Sequence, residues 1–498
     1  MSGIRVTYSG IIAFLASFAT VITGLIFTVI ITRGLSQDEF GTWALIGTFT
    51  SYVYFLSPTV SYWCTREIAR GQESGKTAFA STGIFASIAF FGYLLIVYFF
   101  NETIEVDLTL LFFAGILVPA EFFNTILKSI NQGFRPQMEE YGFLIFEIVK
   151  IPLALVLIFY FEFGLMGLII TIFLSNLASI ALLLITTRQK LHGKFQIKFL
   201  KKWIKLFWVP IYPYISVVVN VTDVALVTIF TGSVGVIAYW SASRAVAHIV
   251  AHSSKIGKAV YPKLLGGGKK EYLQENLHLF FYVSFPIAGI SIIFARPALF
   301  ILNPLYEVAV LVVIFLVPSV FLRAFSELFI QALKGIENVD MIENAGFRDY
   351  LRSNLLFLPT LRLIQRAGYL VILAIILILY SETVESEVEI IVYWAIISLG
   401  VQIPYTLYLL YLVRKDFKLK LKPKIFLKYL ITTVVVFGSI YFLMDEFLVY
   451  EESVFSFIPN FIPFFVSGII LYLGITYLID SRTKLLFHKI LNEIKSHR

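Results

Sequence analysis

Seven ionisable side chains lie inside long apolar stretches: Glu121, Glu147, Lys150, Asp223, Arg244, Arg323 and Glu327. A charge at the centre of a bilayer costs about 2.5–3.5 kcal/mol on insertion scales, so it must be paired or face water or a ligand. Spacing sorts these charges. Glu147 and Lys150 share a helix face, as do Arg323 and Glu327, so each pair can neutralise itself and join helices. Glu121, Asn124 and Lys128 follow the same spacing, and so do Asn220 and Asp223. Arg244, His248 and His252 form a polar stripe at i, i+4 and i+8. Asp223 and Arg244 have no partner in their own helices. They read as cavity-lining groups, or as partners of each other between neighbouring helices.

Two motif-like patterns carry less. "HIVAH" (248–252) has the one-turn histidine spacing of a metal site, but no third ligand or glutamate accompanies it. "GGGKK" (266–270) lacks the strand before it and the Ser/Thr after it that a phosphate loop needs, so it reads as a turn. A single cysteine, Cys64, excludes an intrachain disulfide framework and a cysteine-based zinc cluster. No metal and no cofactor is expected.

The elements that must position these groups are membrane spans. The chain has 498 residues, 58% hydrophobic and 14% charged, whereas a soluble domain carries about 25% charged residues. About fourteen apolar runs approach the roughly 20 residues needed to cross the hydrocarbon. They cover approximately 8–32, 41–64, 78–100, 107–130, 141–161, 164–187, 206–230, 234–260, 278–300, 307–332, 360–380, 388–413, 426–444 and 456–479. The first of them reads as a span and not as a cleavable leader. The runs must be helices, because lipid offers no partner to an open backbone and no alternating barrel strands occur.

Basic residues mark alternate connections. Arg66, Arg70 and Lys76 follow the second run, and Arg188 to Lys205 contribute seven bases after the sixth. Further basic clusters follow the eighth and twelfth runs, whereas "NETIEVD" (101–107), "SETVESEVE" (381–389) and "DEFLVYEES" (445–453) carry only acids. This places both termini in the cytoplasm of a multi-pass protein of the cytoplasmic membrane. The net charge of +8 therefore points to a membrane surface and anionic lipids, not to nucleic acid. "KFQIKFLKKWIKLFW" (194–208) reads as an amphipathic helix on the inner surface that turns into the seventh span. Short outer connections leave no room for a catalytic domain, so an enzyme is not expected. Prolines such as Pro58, Pro152, Pro213 and Pro318 punctuate the spans and mark bending points.

Spans one to six and seven to twelve look like two comparable halves. "TRGLSQDEFGTWAL" (32–45) follows the first span, and "TIFTGSVGVIAYWSASRA" (228–245) follows the seventh at the corresponding place. In the former, Ser36 or Asp38 can cap the incoming helix, and Arg33 is a rare base on the outer side. Parallel repeats of this kind belong to transporters.

"TRGLSQDEFGTWAL", "REIARG" (66–71), Asp223, "YWSASRA" (239–245), "YPKL" (261–264) and "FGLMGLIITIFLSN" (163–176) resemble the polysaccharide transporters of the multidrug/oligosaccharidyl-lipid/polysaccharide flippase superfamily. The resemblance spans about residues 1–335. The chain departs from the pattern at Ala238 and in 343–368, which is longer and more basic than the usual passage into the eleventh helix.

The resemblance implies an all-α fold of two six-helix lobes, 1–190 and 191–415, around a central cavity, with two extra helices and a tail in 416–498. It implies flipping of a lipid-linked oligosaccharide or polysaccharide repeat unit by alternating access, in company with glycan assembly enzymes. Arg244, Lys150 and Arg323 would meet a polyprenyl phosphate or pyrophosphate, with Arg33 at the outer side. Asn124, Asn220, Asp223, Glu121, Tyr239, Trp240 and Trp43 would serve the sugars, beside the carboxylates Glu147 and Glu327. The alternative is a cation-coupled exporter of drugs or metabolites from the sister branch. A coupling cation, H+ or Na+, is compatible with either, but no site for it is legible.

Overall fold

The computed structural model describes residues 23–100, 106–259, 271–337, 353–380, 386–417, 423–481 and 483–484. "GGGKK", "YPKL" and the stretches 343–352 and 381–385 lie outside the described residues. Among those described there is no strand, and eleven helices are long and apolar enough to cross a membrane. The chain is an all-α multi-pass membrane protein, as its composition requires.

Three expected spans are missing from those eleven, each for a visible reason. The first is described only from Thr23, as helix α1 (Thr23–Gly34). The second is broken into α2 (Gln37–Tyr54) and α3 (Pro58–Ala69). Pro58 has no N–H for the Tyr54 carbonyl, and its ring crowds that carbonyl. Ser57 donates to it instead, at 2.9 Å, in a tighter turn. The eighth begins as α11 (Gly235–Ala247) and tightens into a 3-10 helix over His248–Ala259.

The remaining elements of the first half are α4 (Gly75–Phe100), α5 (Leu108–Ala114), α6 (Leu117–Phe134), α7 (Pro136–Ala154), α8 (Gly164–Leu191), α9 (Ile197–Lys205) and α10 (Trp208–Thr231). Pro152 interrupts the hydrogen bonding of α7, which continues as a π turn over Leu155–Tyr160. The later helices are α12 (Glu271–Ile293), α13 (Ala295–Leu302), α14 (Val310–Gly335), α15 (Asn354–Tyr380), α16 (Glu387–Phe417), α17 (Pro423–Phe447) and α18 (Val454–Ile479).

These elements form two compact units. One contains the chain up to Ser241 together with Arg362–Glu387; the other contains Ala242–Leu361 and the chain from Val388. Helix α4 shows how a span divides its surface. Ala78, Ser81, Thr82, Ala86 and Ala89 are buried, while Ile84, Ile88, Phe91 and Leu95 are exposed. Small residues let helices approach closely, and large apolar ones face lipid.

The first unit's core joins Val60 and Cys64 of α3, Ile126 and Ile130 of α6, Leu183 of α8, and Phe199 and Trp203 of α9. Helix α9 is thus docked by two aromatic rings, and Lys202 reaches the buried Glu67 at 2.6 Å. Its other face exposes Ile197 and Ile204 beside lysines, as expected of a helix at a membrane surface.

In the second unit, α12, α14 and α16 share a phenylalanine-rich core, and α17 and α18 pack beside α12 and α13. Asp480, just past α18, accepts hydrogen bonds from Tyr429 (2.7 Å), Lys428 (3.0 Å) and Thr483 (2.8 Å). Burial pushes its carboxyl up, but these bonds together outweigh burial and hold it well below the usual carboxylate range.

Candidate functional site

The break in the second span places polar groups at membrane depth in the first unit. Tyr54, the last residue of α2, shares a hydrogen bond with Thr125 of α6. Glu121 lies one turn before Thr125, close enough to act electrostatically on Tyr54 and on Tyr214 of α10. It is half-buried. Tyr52 lies next to Thr222 and Asp223 of α10. Three helices therefore converge on a wall of tyrosines and carboxylates. Such a surface offers ring faces and acceptors to sugar hydroxyls.

Asp223 is buried, and Tyr369 of α15 donates to its Oδ2 at 2.9 Å. The Val224 N–H donates to Oδ1, also at 2.9 Å. One turn earlier, Asn220 is half-buried on the same helix.

The other residues singled out in this unit are placed differently. Lys150 Nζ is 2.8 Å from Glu147 Oε1, with both side chains buried. Its ammonium also lies 4.5 Å from the Phe27 ring centroid and 5.2 Å from that of Phe146. This is a self-neutralised pair in an aromatic cage. Asn124 is buried against α8: its amide donates to Asn176 at 2.6 Å, and it accepts from Ser179 at 3.1 Å. It joins two helices. Tyr239 and Trp240 are both buried, and Arg33 is half-buried in the last turn of α1.

In the second unit, Arg244, Arg323 and His252 all act electrostatically on His248. Arg323 lies on α14, and one turn later Glu327 accepts a hydrogen bond from Gln331 at 3.0 Å. The i, i+4, i+8 stripe does not run straight. A 3-10 helix has three residues per turn, so residues four apart are rotated well off one line. His252 is accordingly exposed while His248 stays half-buried. Among the described residues no group of three His, Cys, Asp or Glu side chains could hold a metal.

The turn after the first span is built by capping chemistry. Ser36 caps α2 through the Glu39 N–H at 3.2 Å, and the Glu39 carboxylate accepts from the Ser36 N–H at 2.9 Å. Glu39 Oε1 also accepts from the Leu165 N–H at 2.8 Å, tying this turn to the start of α8. The equivalent turn after α10 donates from Ser233 Oγ to Glu387 at 2.6 Å, at the start of α16. Gln37 donates to the same carboxylate at 3.3 Å. Gly41 packs directly on the Val234 carbonyl, with no space for a Cβ. Each of these two turns is thus tied to the first turn of a later helix, α8 or α16.

Sequence reasoning passed over Tyr52, Tyr54, Tyr214, Tyr369 and Glu387. Tyrosine is too common in spans for a single one to signal a site. The only cue lay in "YVYFLSP" (52–58), where tyrosines precede a helix-breaking proline.

By sequence, the chain matches no family model and no curated protein. Solved structures do match by shape. The lipid II flippase MurJ in an inward closed conformation superposes with a TM-score of 0.63 at 16% identity, covering 93% of this chain and 98% of that one. An inward-facing multidrug resistance MATE family transporter of the MOP superfamily gives 0.58 at 15% identity, covering 80% and 95%. A MOP superfamily transporter from Pyrococcus furiosus gives 0.52 at 13% identity, covering 82% and 95%; it is described as having a binding pocket of reversed polarity that suggests a different function. The chain has the fold of these MATE and MurJ transporters, the one expected from the sequence resemblance.

Proposed function

We propose that this chain is an alternating-access transporter. It carries an anionic lipid-linked oligosaccharide, joined to its lipid by a polyprenyl phosphate or pyrophosphate, across the cytoplasmic membrane. The reading is supported above all by the extent of the likeness. The MurJ match covers 93% of the chain, against 80% for the MATE match.

The side chains support the same class of substrate. Arg244 and Arg323 gather cationic character around His248 at membrane depth in one unit. The other unit presents Glu121, Asp223 and a run of tyrosines. Guanidinium groups suit an anion, and tyrosine rings with carboxylates suit sugars. The lipid tail needs neither, and can stay in the bilayer. With basic connections inside, both termini lie in the cytoplasm, where glycan assembly enzymes would deliver the substrate and anionic lipids would meet α9.

A second reading is cation-coupled export of a small molecule. The half-buried Glu121 carboxylate favours it. One experiment separates the two. Cells lacking the chain should accumulate lipid-linked glycan that externally added glycosidase cannot reach, with unchanged drug susceptibility. Normal glycan export with altered drug susceptibility would refute the flippase reading.

A further inference from the structure

Helix α9 grips the corner where α3 passes into α4, and it does so at three points. Gln196, the residue before α9, donates its backbone N–H to Thr77 Oγ1 at 2.8 Å and its side-chain amide to the Glu73 carbonyl at 3.4 Å. Phe199 and Trp203 share a buried core with Val60, Cys64 and Ile68 of α3. Lys202 Nζ donates to Glu67 Oε1 at 2.6 Å. Glu67 lies in the last turn of α3 and is 1% exposed, and its Oε2 has no hydrogen-bond partner among the described residues. Lys202 thus supplies the opposite charge that a buried carboxylate needs.

The rest of the α9 surface has two further faces. At 3.6 residues per turn, Ile197 and Ile204 lie together about a third of a turn from Phe199 and Trp203, and Lys201 and Lys205 follow beyond the isoleucines. Both isoleucines and both lysines are exposed. Lys198 instead lies over the Phe199 ring, 5.1 Å from its centroid. Helix α8 ends at Leu191 and α10 begins at Trp208, so α9 sits at the level where one span ends and the next starts. An apolar stripe beside lysines at that level is the surface that a helix lays on acyl chains and anionic headgroups. Nine residues are fewer than the roughly 12–15 an isolated helix needs. Docking on α3 therefore keeps α9 helical, with its isoleucines and lysines on their faces. Docking prepares α9 for headgroups, and because coupled equilibria are reciprocal, headgroups must favour docking.

We propose that α9 is a clamp on α3 that anionic lipid closes. Headgroups held by Lys201 and Lys205 keep α9 docked, and docked α9 keeps α3 in place through Glu67 and the aromatic core. The break at Pro58 separates α3 from α2, so α3 can be held or released on its own. Each basic residue near an anionic surface favours attachment about fivefold, so the two lysines together favour the closed clamp by up to about 25-fold. The partner is an anionic headgroup of the leaflet that α9 touches, whatever the cargo. Failure of this inference therefore leaves the lipid-linked glycan reading standing.

Cys64, the only cysteine of the chain, is buried in the core that α9 covers, so its thiol reports the clamp. The test places the full chain in nanodiscs of phosphatidylcholine, or of phosphatidylcholine with phosphatidylglycerol, and times the modification of Cys64 by N-ethylmaleimide. Where opening is fast relative to modification, the rate follows the open population. Wild type should react roughly ten- to 25-fold more slowly with phosphatidylglycerol present. K201Q/K205Q changes two exposed side chains and should react at the same rate in both bilayers. A89C in a Cys64→Ser background places the thiol at a buried position about 21 Å along α4 and should show no dependence on lipid. Equal wild-type rates in the two bilayers overturn the clamp. Full protection that survives in K201Q/K205Q overturns the part given to the lysines. Protection of A89C equal to that of Cys64 means general stabilisation by the lipid, and also overturns the clamp.

Discussion

Lys150→Ala should destabilise the protein severely, while replacing Glu147 and Lys150 together should not. The two side chains are 8% and 5% exposed, and their charged atoms are 2.8 Å apart. No solvent discount applies at such burial. Truncating lysine alone leaves the carboxylate buried, and breaking a buried pair in this way costs roughly 3–5 kcal/mol. Glu147 Oε2 already has no hydrogen-bond partner, so the carboxylate has no second contact to fall back on. The lysine also leaves Phe27 and Phe146 without their cation, which adds about 0.5–2 kcal/mol for a desolvated contact. The double change E147L/K150M removes both charges and keeps volume, and such swaps are often neutral or stabilising by about 1–4 kcal/mol. Thermal unfolding of the detergent-solubilised protein, followed by size exclusion, reads the difference. The single variant should melt well below wild type, and the double variant near it, with glycan export retained. A double variant that melts like wild type but no longer exports would refute the structural reading and make the pair part of transport. Equal destabilisation of single and double variants would refute the charge argument itself.

Three further outcomes follow from particular contacts. Gly41→Ala forces a Cβ into the Val234 carbonyl and should destabilise by about 1–3 kcal/mol, as overpacking does; Gly47→Ala, with open space around it, should be harmless, and their melting points compare the two. The Asp480 carboxyl is held below its ordinary value in the folded protein. Its contribution is therefore complete above the unfolded carboxylate range near about pH 4 and fades only as pH falls towards the depressed folded value. The melting difference between wild type and D480N should stay constant from neutral pH down to about pH 5 and shrink only below that. A cysteine at Glu389 in a Cys64→Ser background should react with an impermeant maleimide added to intact cells; labelling only after permeabilisation would overturn the proposed topology.

Much of this protein is legible in its sequence because lipid imposes a local rule. A backbone in hydrocarbon must bond to itself, so every long apolar run has to be a helix, and the number and order of the helices can be read without knowing their neighbours. A cap at Ser36 or Asp38 was legible for the same reason, since capping acts within a few residues, and the structure uses Ser36 with Glu39. So was the Glu147–Lys150 pair, whose members share a helix face. The proline at 58 marked a bending point, because the missing N–H acts on its own helix, and the structure makes it a break.

What depends on a second helix was not legible. Nothing in the spacing around Asp223 points to Tyr369, which lies 146 residues away. Asn124 looked like a member of a charged stripe with Glu121, yet it is bound to Asn176 and Ser179 of α8. The Arg244–His248–His252 stripe assumed one helical period, and the chain adopts another from His248 onwards. Arg362 and Arg366 fell where the basic passage 343–368 overlaps the eleventh run, 360–380, and the structure places both, half-buried, inside that span. The sequence by itself determined which segments cross the membrane and which charges lie within it. Only the tertiary structure decided which groups on other helices those charges meet, because pairing across helices depends on rotation and depth, and neither leaves a periodic trace along a single chain.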